Sequence, residues 1–163
     1  MLESVKTFLA QINKLVSAIL AVLLQGIVFL IFLQVFSRFV MQYGLPWTEE
    51  LARLLFMWLC MLGFSVCVFE KSNMGITMLV SKFSPAGQRA VRLLAEVLML
   101  GLFGCMAVYG YQILDVVSMQ ISRSMEFNMA ISYAAVLCGA VLSFFYTLVN
   151  LVDDLQAGKG ETS

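Results

Sequence analysis

Residues 15–37 read LVSAILAVLLQGIVFLIFLQVFS, an unbroken run of 23 residues without a charge, bounded by Lys14 and Arg38. At about 1.5 Å of rise per residue, a helix of this length crosses a hydrocarbon layer of about 30 Å. A cleaved leader has a shorter apolar stretch of roughly 7–15 residues followed by a small-residue cleavage pattern. The residues that follow here, RFVMQYG, offer no such pattern. The run is therefore read as a membrane span.

Three more runs resemble it. Sixteen charge-free residues lie between Arg53 and Glu70, 18 between Glu96 and Asp115, and 26 between Glu126 and Asp153. The second run is short for a full crossing unless its helix starts further back, near Pro46 or Thr48. The whole chain of 163 residues is 61% hydrophobic and 12% charged, with a mean hydropathy of +0.93. Soluble domains carry about 25% charged residues, and one small core could not hide this much apolar area. The expected fold is an all-α membrane protein with four transmembrane helices in a tilted bundle, spanning about 15–37, 48–69, 93–115 and 127–152. Residues 1–152 form one domain, and 153–163 read as a disordered cytoplasmic tail.

Basic residues set the expected orientation. Four spans put both termini and the 70–96 loop on one side, with Lys6, Lys14, Lys71, Lys82, Arg89, Arg92 and Lys159. The other side holds Arg38, Arg53 and Arg123. Seven against three places the termini in the cytoplasm.

Two amphipathic pieces border the spans. In ESVKTFLAQINK, Val5, Phe8, Leu9 and Ile12 share a helical face, as do Ile76, Leu79, Val80 and Phe83 in GITMLVSKF. Such segments can lie along the headgroup boundary with their lysines reaching outward. The first can equally be an extension of helix one. After the second, Ser84 and Pro85 form a helix-start signal.

The sequence offers little chemistry. Histidine is absent, which removes the commonest general base and metal ligand. A net charge of zero gives no basis for a nucleic-acid partner. Cys60, Cys67, Cys105 and Cys138 sit within apolar runs without a C-x-x-C pair and read as small apolar packing residues. No ionisable residue lies inside a span, where pumps and transporters usually place them. The innermost polar groups are Gln25, Gln34 and Asn150. Gln25, near the middle of its span, is expected to hydrogen-bond across a helix interface, since an unpaired amide there is costly. Gly63, Gly101 and Gly139 lie in small-xxx-small spacings that let helices approach closely. Neither proline breaks a span, so no unwound helix is expected to coordinate an ion or solute. No catalytic residue, cofactor site or metal site is expected in this chain.

GLPWTEELAR, residues 44–53, is the charged island between the first two spans. Pro46 suits a helix start, or Thr48 can cap one, leaving Glu49 and Glu50 in the first turn where the helix dipole favours carboxylates. Glu49 and Arg53 are four apart in the favourable acid-first order. Trp47 falls at the boundary that indoles prefer. An interfacial helix start with a solvated ion pair accounts for all of this by itself.

The same residues resemble a family. The stretch from Ser37-Arg38-Phe39 through Pro46, Trp47, Glu49, Glu50 and Arg53 to Gly63 and the charged turn at 70–79 looks like the small membrane subunit of tripartite ATP-independent periplasmic (TRAP) transporters, the DctQ-like family. The resemblance covers roughly residues 15–152. Members often carry a histidine and an aspartate in the last segment, where this chain has Met74-Gly75-Ile76-Thr77.

The resemblance implies a bacterial inner-membrane scaffold. In this family a large elevator-type subunit holds the substrate and sodium sites, and a periplasmic binding protein delivers an organic acid such as sialic acid or a C4-dicarboxylate. The small subunit braces the large one among the membrane lipids. Arg38, Trp47, Glu49, Glu50, Arg53, Arg123 and Glu126 then become candidates to touch the large subunit or the binding protein. The competing reading is an autonomous homo-oligomeric channel or exporter, which would need a polar stripe that only Gln25, Gln34 and scattered Ser and Cys could supply. A membrane-embedded enzyme would have only a few edge carboxylates to work with.

Overall fold

A computed structural model describes residues 2–40, 42, 44–70, 85–117 and 128–160. Within them are four helices: α1 Leu2–Val40, α2 Pro46–Phe69, α3 Pro85–Val117 and α4 Ala130–Gly160. All four contain segments long and apolar enough to cross a membrane: Thr7–Val40, Pro46–Phe69, Ala90–Val117 and Ala130–Leu155. In hydrocarbon, a helix is one of the few ways to satisfy every backbone N–H and C=O.

The helices overrun the charge-free stretches. The 39 residues of α1 reach about 58 Å, nearly twice the hydrocarbon thickness. The amphipathic stretch at the N-terminus is thus an extension of helix one, since nothing before Gly26 breaks it. Helix α2 starts at Pro46, with Leu45 as the N-cap residue, which lengthens the short second run to 24 residues. Thr48 does not cap it; its hydroxyl donates to the Leu45 carbonyl at 2.7 Å. Helix α3 opens at Pro85, as the Ser-Pro signal suggests.

The C-terminal boundary needs correction. Helix α4 runs on to Gly160 instead of ending at residue 152, because DDLQA contains charges but no helix breaker. Charge marks where a helix leaves lipid, not where it stops. The amphipathic segment at 75–83, with Met74–Thr77, lies outside the described residues.

Packing follows the order α1–α2–α4–α3: α1 packs on α2, α2 on α4, and α4 on α3. The bundle is an open row, with α2 and α4 running parallel at its centre and an antiparallel helix on each flank. On α1 the face toward α2 comprises Leu9, Asn13, Val16, Leu20, Leu23, Ile27, Leu30, Gln34 and Ser37, each buried or half-buried. Their alternating steps of four and three residues make a 3.5-residue repeat, the geometry of a left-handed coiled-coil seam.

The centre is closer still. A Cβ on Gly139 of α4 would lie 2.8 Å from the Cβ and 2.9 Å from the carbonyl oxygen of Met61 on α2. Ala135, Ser143 and Thr147 continue the small-residue face, each at most 1% exposed. Asn150 then donates its side-chain amide to the Val68 carbonyl of α2 at 3.0 Å. Side chains join all four helices in one cluster of Leu9, Val68, Phe103 and Tyr146. Phe64 meets Phe103 edge-on at 5.7 Å, and Phe69 meets Tyr146 at 5.0 Å.

The other two glycines differ. Gly63 faces Leu20 of α1 at an ordinary 3.9 Å, and a Cβ on Gly101 would meet nothing within 4 Å. Gly101 is therefore not a packing contact within this chain. Cys60, Cys67, Cys105 and Cys138 are free and exposed instead of packed between helices.

Gly139→Ala should lower the thermal midpoint of the detergent-solubilised chain by an amount equivalent to about 1–3 kcal/mol, because Met61 meets it with backbone. Gly101→Ala should leave the midpoint unchanged or raise it. Size-exclusion thermal scans of both variants check the contrast.

Candidate partner interface

The island residues form the far rim, on the side of the membrane opposite the chain termini. Because α2 and α4 are parallel neighbours, their N-termini open on that side together. Each helix start carries a partial positive charge of roughly half a unit. Glu49 occupies the first turn of α2 and answers that charge directly. Glu50 begins the second turn, since the helix starts at Pro46, ahead of Thr48.

Arg53 donates to Glu49 at 3.1 Å, with side chains 71% and 63% exposed. Glu50 is half-buried and, with Arg53, Leu54 and Met57, lines one wall of an open cleft of about 210 Å³; Met129 just ahead of α4 and Ser132 and Tyr133 within it form the other. Trp47 is 37% exposed beside them, and Arg38 is exposed in the last turn of α1. Asn128 finishes this rim: its side-chain oxygen accepts from the Ala130 N–H at 2.8 Å and closes the start of α4. The sequence reading passed over Asn128, although Asn two residues before an apolar run is a usable helix-start signal. Arg123 and Glu126 lie outside the described residues.

The interior holds no chemical machinery among the described residues. Buried hydroxyls bond to their own helix: Ser37 to the Gln34 carbonyl, Ser65 to that of Leu62, Thr147 to that of Ser143. Such back-bonding satisfies a hydroxyl without a partner helix or a solute. No group of three His, Cys, Asp or Glu side chains is placed to hold a metal ion among these residues.

Two further polar features escaped the sequence reading. Asn13, at 8% exposure, and Tyr146, at 1%, each bury an oxygen without a hydrogen-bond partner in the described structure. Glu96 is also buried, at 8% exposure. The seam spacing on α1 points to Asn13; nothing in the sequence singles out Tyr146.

Gln25 departs most from expectation. It is exposed on α1, turned away from α2, and no hydrogen bond joins it to another described residue. It does not tie helices of this chain together. Gln34 is half-buried on the seam.

What the fold and rim define is a multi-pass helical membrane protein with a charged rim at the start of α2. The chain belongs to the family described as Tripartite ATP-independent periplasmic transporters, DctQ component, whose sequence profile matches residues 27–157. It is 34% identical over 89 residues to a protein of Haemophilus influenzae named as a TRAP transporter small permease protein, covering 55% of this chain and 55% of that one. It is 30% identical over 101 residues to the sialic acid TRAP transporter small permease protein SiaQ of Vibrio cholerae, covering 62% of this chain and 58% of the relative. The chain thus spans little more than half the length of the curated relatives it matches.

Glu49→Gln and Arg53→Ala should each change stability by no more than about 0.5 kcal/mol, as befits an exposed i, i+4 pair. Thermal midpoints indistinguishable from the wild type check this.

Proposed function

We propose that this chain is the small scaffold subunit of a sodium-coupled TRAP secondary transporter in a bacterial inner membrane. It braces a large elevator-type permease subunit, which carries the substrate and sodium sites, while a periplasmic binding protein delivers an organic acid. The observation that carries this reading is the family match over residues 27–157, combined with an interior where the hydroxyls of Ser37, Ser65 and Thr147 bond to their own backbone. A frame needs broad apolar faces and fixed helix positions; it does not need a polar path. The open row supplies such faces, with Phe29 and Phe32 of α1 among the many exposed apolar side chains.

The far rim, with Arg38, Trp47, Glu49, Glu50 and Arg53, faces the periplasm in this reading, available to the large subunit or the docked binding protein. Both termini are cytoplasmic, as the lysine and arginine bias argues. Substrate choice lies in the other two components. Sialic acid is one candidate, through the similarity to the Vibrio cholerae protein.

Proteoliposomes test the assignment. Sodium-driven uptake of an organic acid should require this chain, its large subunit and the binding protein together. Transport by this chain alone would overturn the reading in favour of a homo-oligomeric channel. For orientation, a cysteine introduced at Ser163 in a background lacking the native thiols should resist an impermeant maleimide in intact cells and react after lysis.

A further inference from the structure

Helix α1 sits at one end of the row, with α2 as its principal neighbour and its N-terminal Leu9 reaching the cluster shared by all four helices. Its exposed side carries a second stripe. Val22, Gln25, Phe29, Phe32 and Phe36 follow one another in steps of three, four, three and four residues, and all are exposed. The repeat is the same 3.5 residues that seats α1 on α2. Gln25 is two residues from both Leu23 and Ile27 on the buried seam, which turns it about 160° around the helix.

Its depth matters as much as its direction. The charge-free run of α1 extends from Leu15 to Ser37, and Gln25 is one residue from its midpoint. A glutamine side chain cannot reach the headgroups from there, and its amide has no hydrogen-bond partner among the described residues. Water is absent at that depth, so an amide facing lipid leaves its donors and acceptor unmet.

We propose that this stripe of α1 is the seat of a transmembrane helix of the large permease subunit, with a hydrogen-bonding side chain of that helix meeting Gln25 at mid-membrane. The proposal rests on the reading of this chain as the scaffold of a TRAP transporter. Phe32 and Phe36 stack with ring centroids 6.3 Å apart and fill the half of the stripe toward the far rim. A second copy of this chain docked in parallel would set these same rings against each other at the same depth. Bulk opposite bulk holds helices apart, whereas large residues opposite small ones interdigitate. The complementary surface is therefore a different helix, with small residues facing the rings and one polar group facing the amide.

The test uses the intact complex in membranes, with a benzophenone photo-cross-linker at position 25 and, as a control, at the exposed position 109 on α3. Ultraviolet irradiation should join position 25, not position 109, to the large subunit. In parallel, Gln25→Leu should insert at wild-type levels while weakening retention of the large subunit in mild detergent by roughly threefold, in line with measured interhelical hydrogen bonds in membranes. If the large subunit co-purifies and uptake proceeds, but position 25 joins only lipid or a second copy, the seat is elsewhere and the scaffold reading survives. Unchanged retention by Gln25→Leu counts against the amide contact. If no large subunit associates with the wild-type chain, seat and scaffold readings fall together.

Discussion

Helices α2 and α4 meet at Gly139, where the missing side chain lets one backbone approach the other at Met61. The rest of the arrangement hangs from that crossing. Helix α1 is attached through α2, and α3 through α4, so parting the central pair would divide the protein into two hairpin-like halves. In lipid, apolar surface gains nothing by turning inward, because the solvent is as apolar as the core. Close packing and a few polar contacts must hold the helices instead. Gly139, the face of Ala135, Ser143 and Thr147, and the Asn150 amide provide them.

The same physics decides what could be read in the chain. Span number and approximate position followed from where charge stops, and Pro46 and Pro85 marked two helix starts. The direction of each helix face did not follow, because leucine is equally at home against lipid and against protein. Gln25 was assigned to an internal contact on the sound ground that an amide needs a partner. The ground holds, but none of the described residues hydrogen-bonds to it. Gly101 and Gly139 occupy similar small-residue spacings, and only three-dimensional placement separates an empty flank from a backbone crossing. The seam on α1 was not read: the face assigned there was Val5, Phe8, Leu9 and Ile12, and of these Phe8 is exposed whereas Leu9 is buried.

Polarity is handled differently at the two levels of the molecule. In the middle, the hydroxyls of Ser37, Ser65 and Thr147 fold back on carbonyls of their own helices. At the far rim, Glu49 and Glu50 stand beside two parallel helix starts, where negative charge is favoured, and Arg53 pairs with Glu49.

The bond from Asn150 to the Val68 carbonyl has one more effect. A hydrophobic helix in a bilayer is held only loosely along the membrane normal, because mismatch between its length and the lipid costs fractions of a kcal/mol per Å. Joined to α4 near its last turn and locked at Gly139 further up, α2 cannot slide axially without breaking a hydrogen bond and driving Met61 past a glycine notch. The pair keeps a constant height, like a gauge block, even where the surrounding bilayer thins or swells.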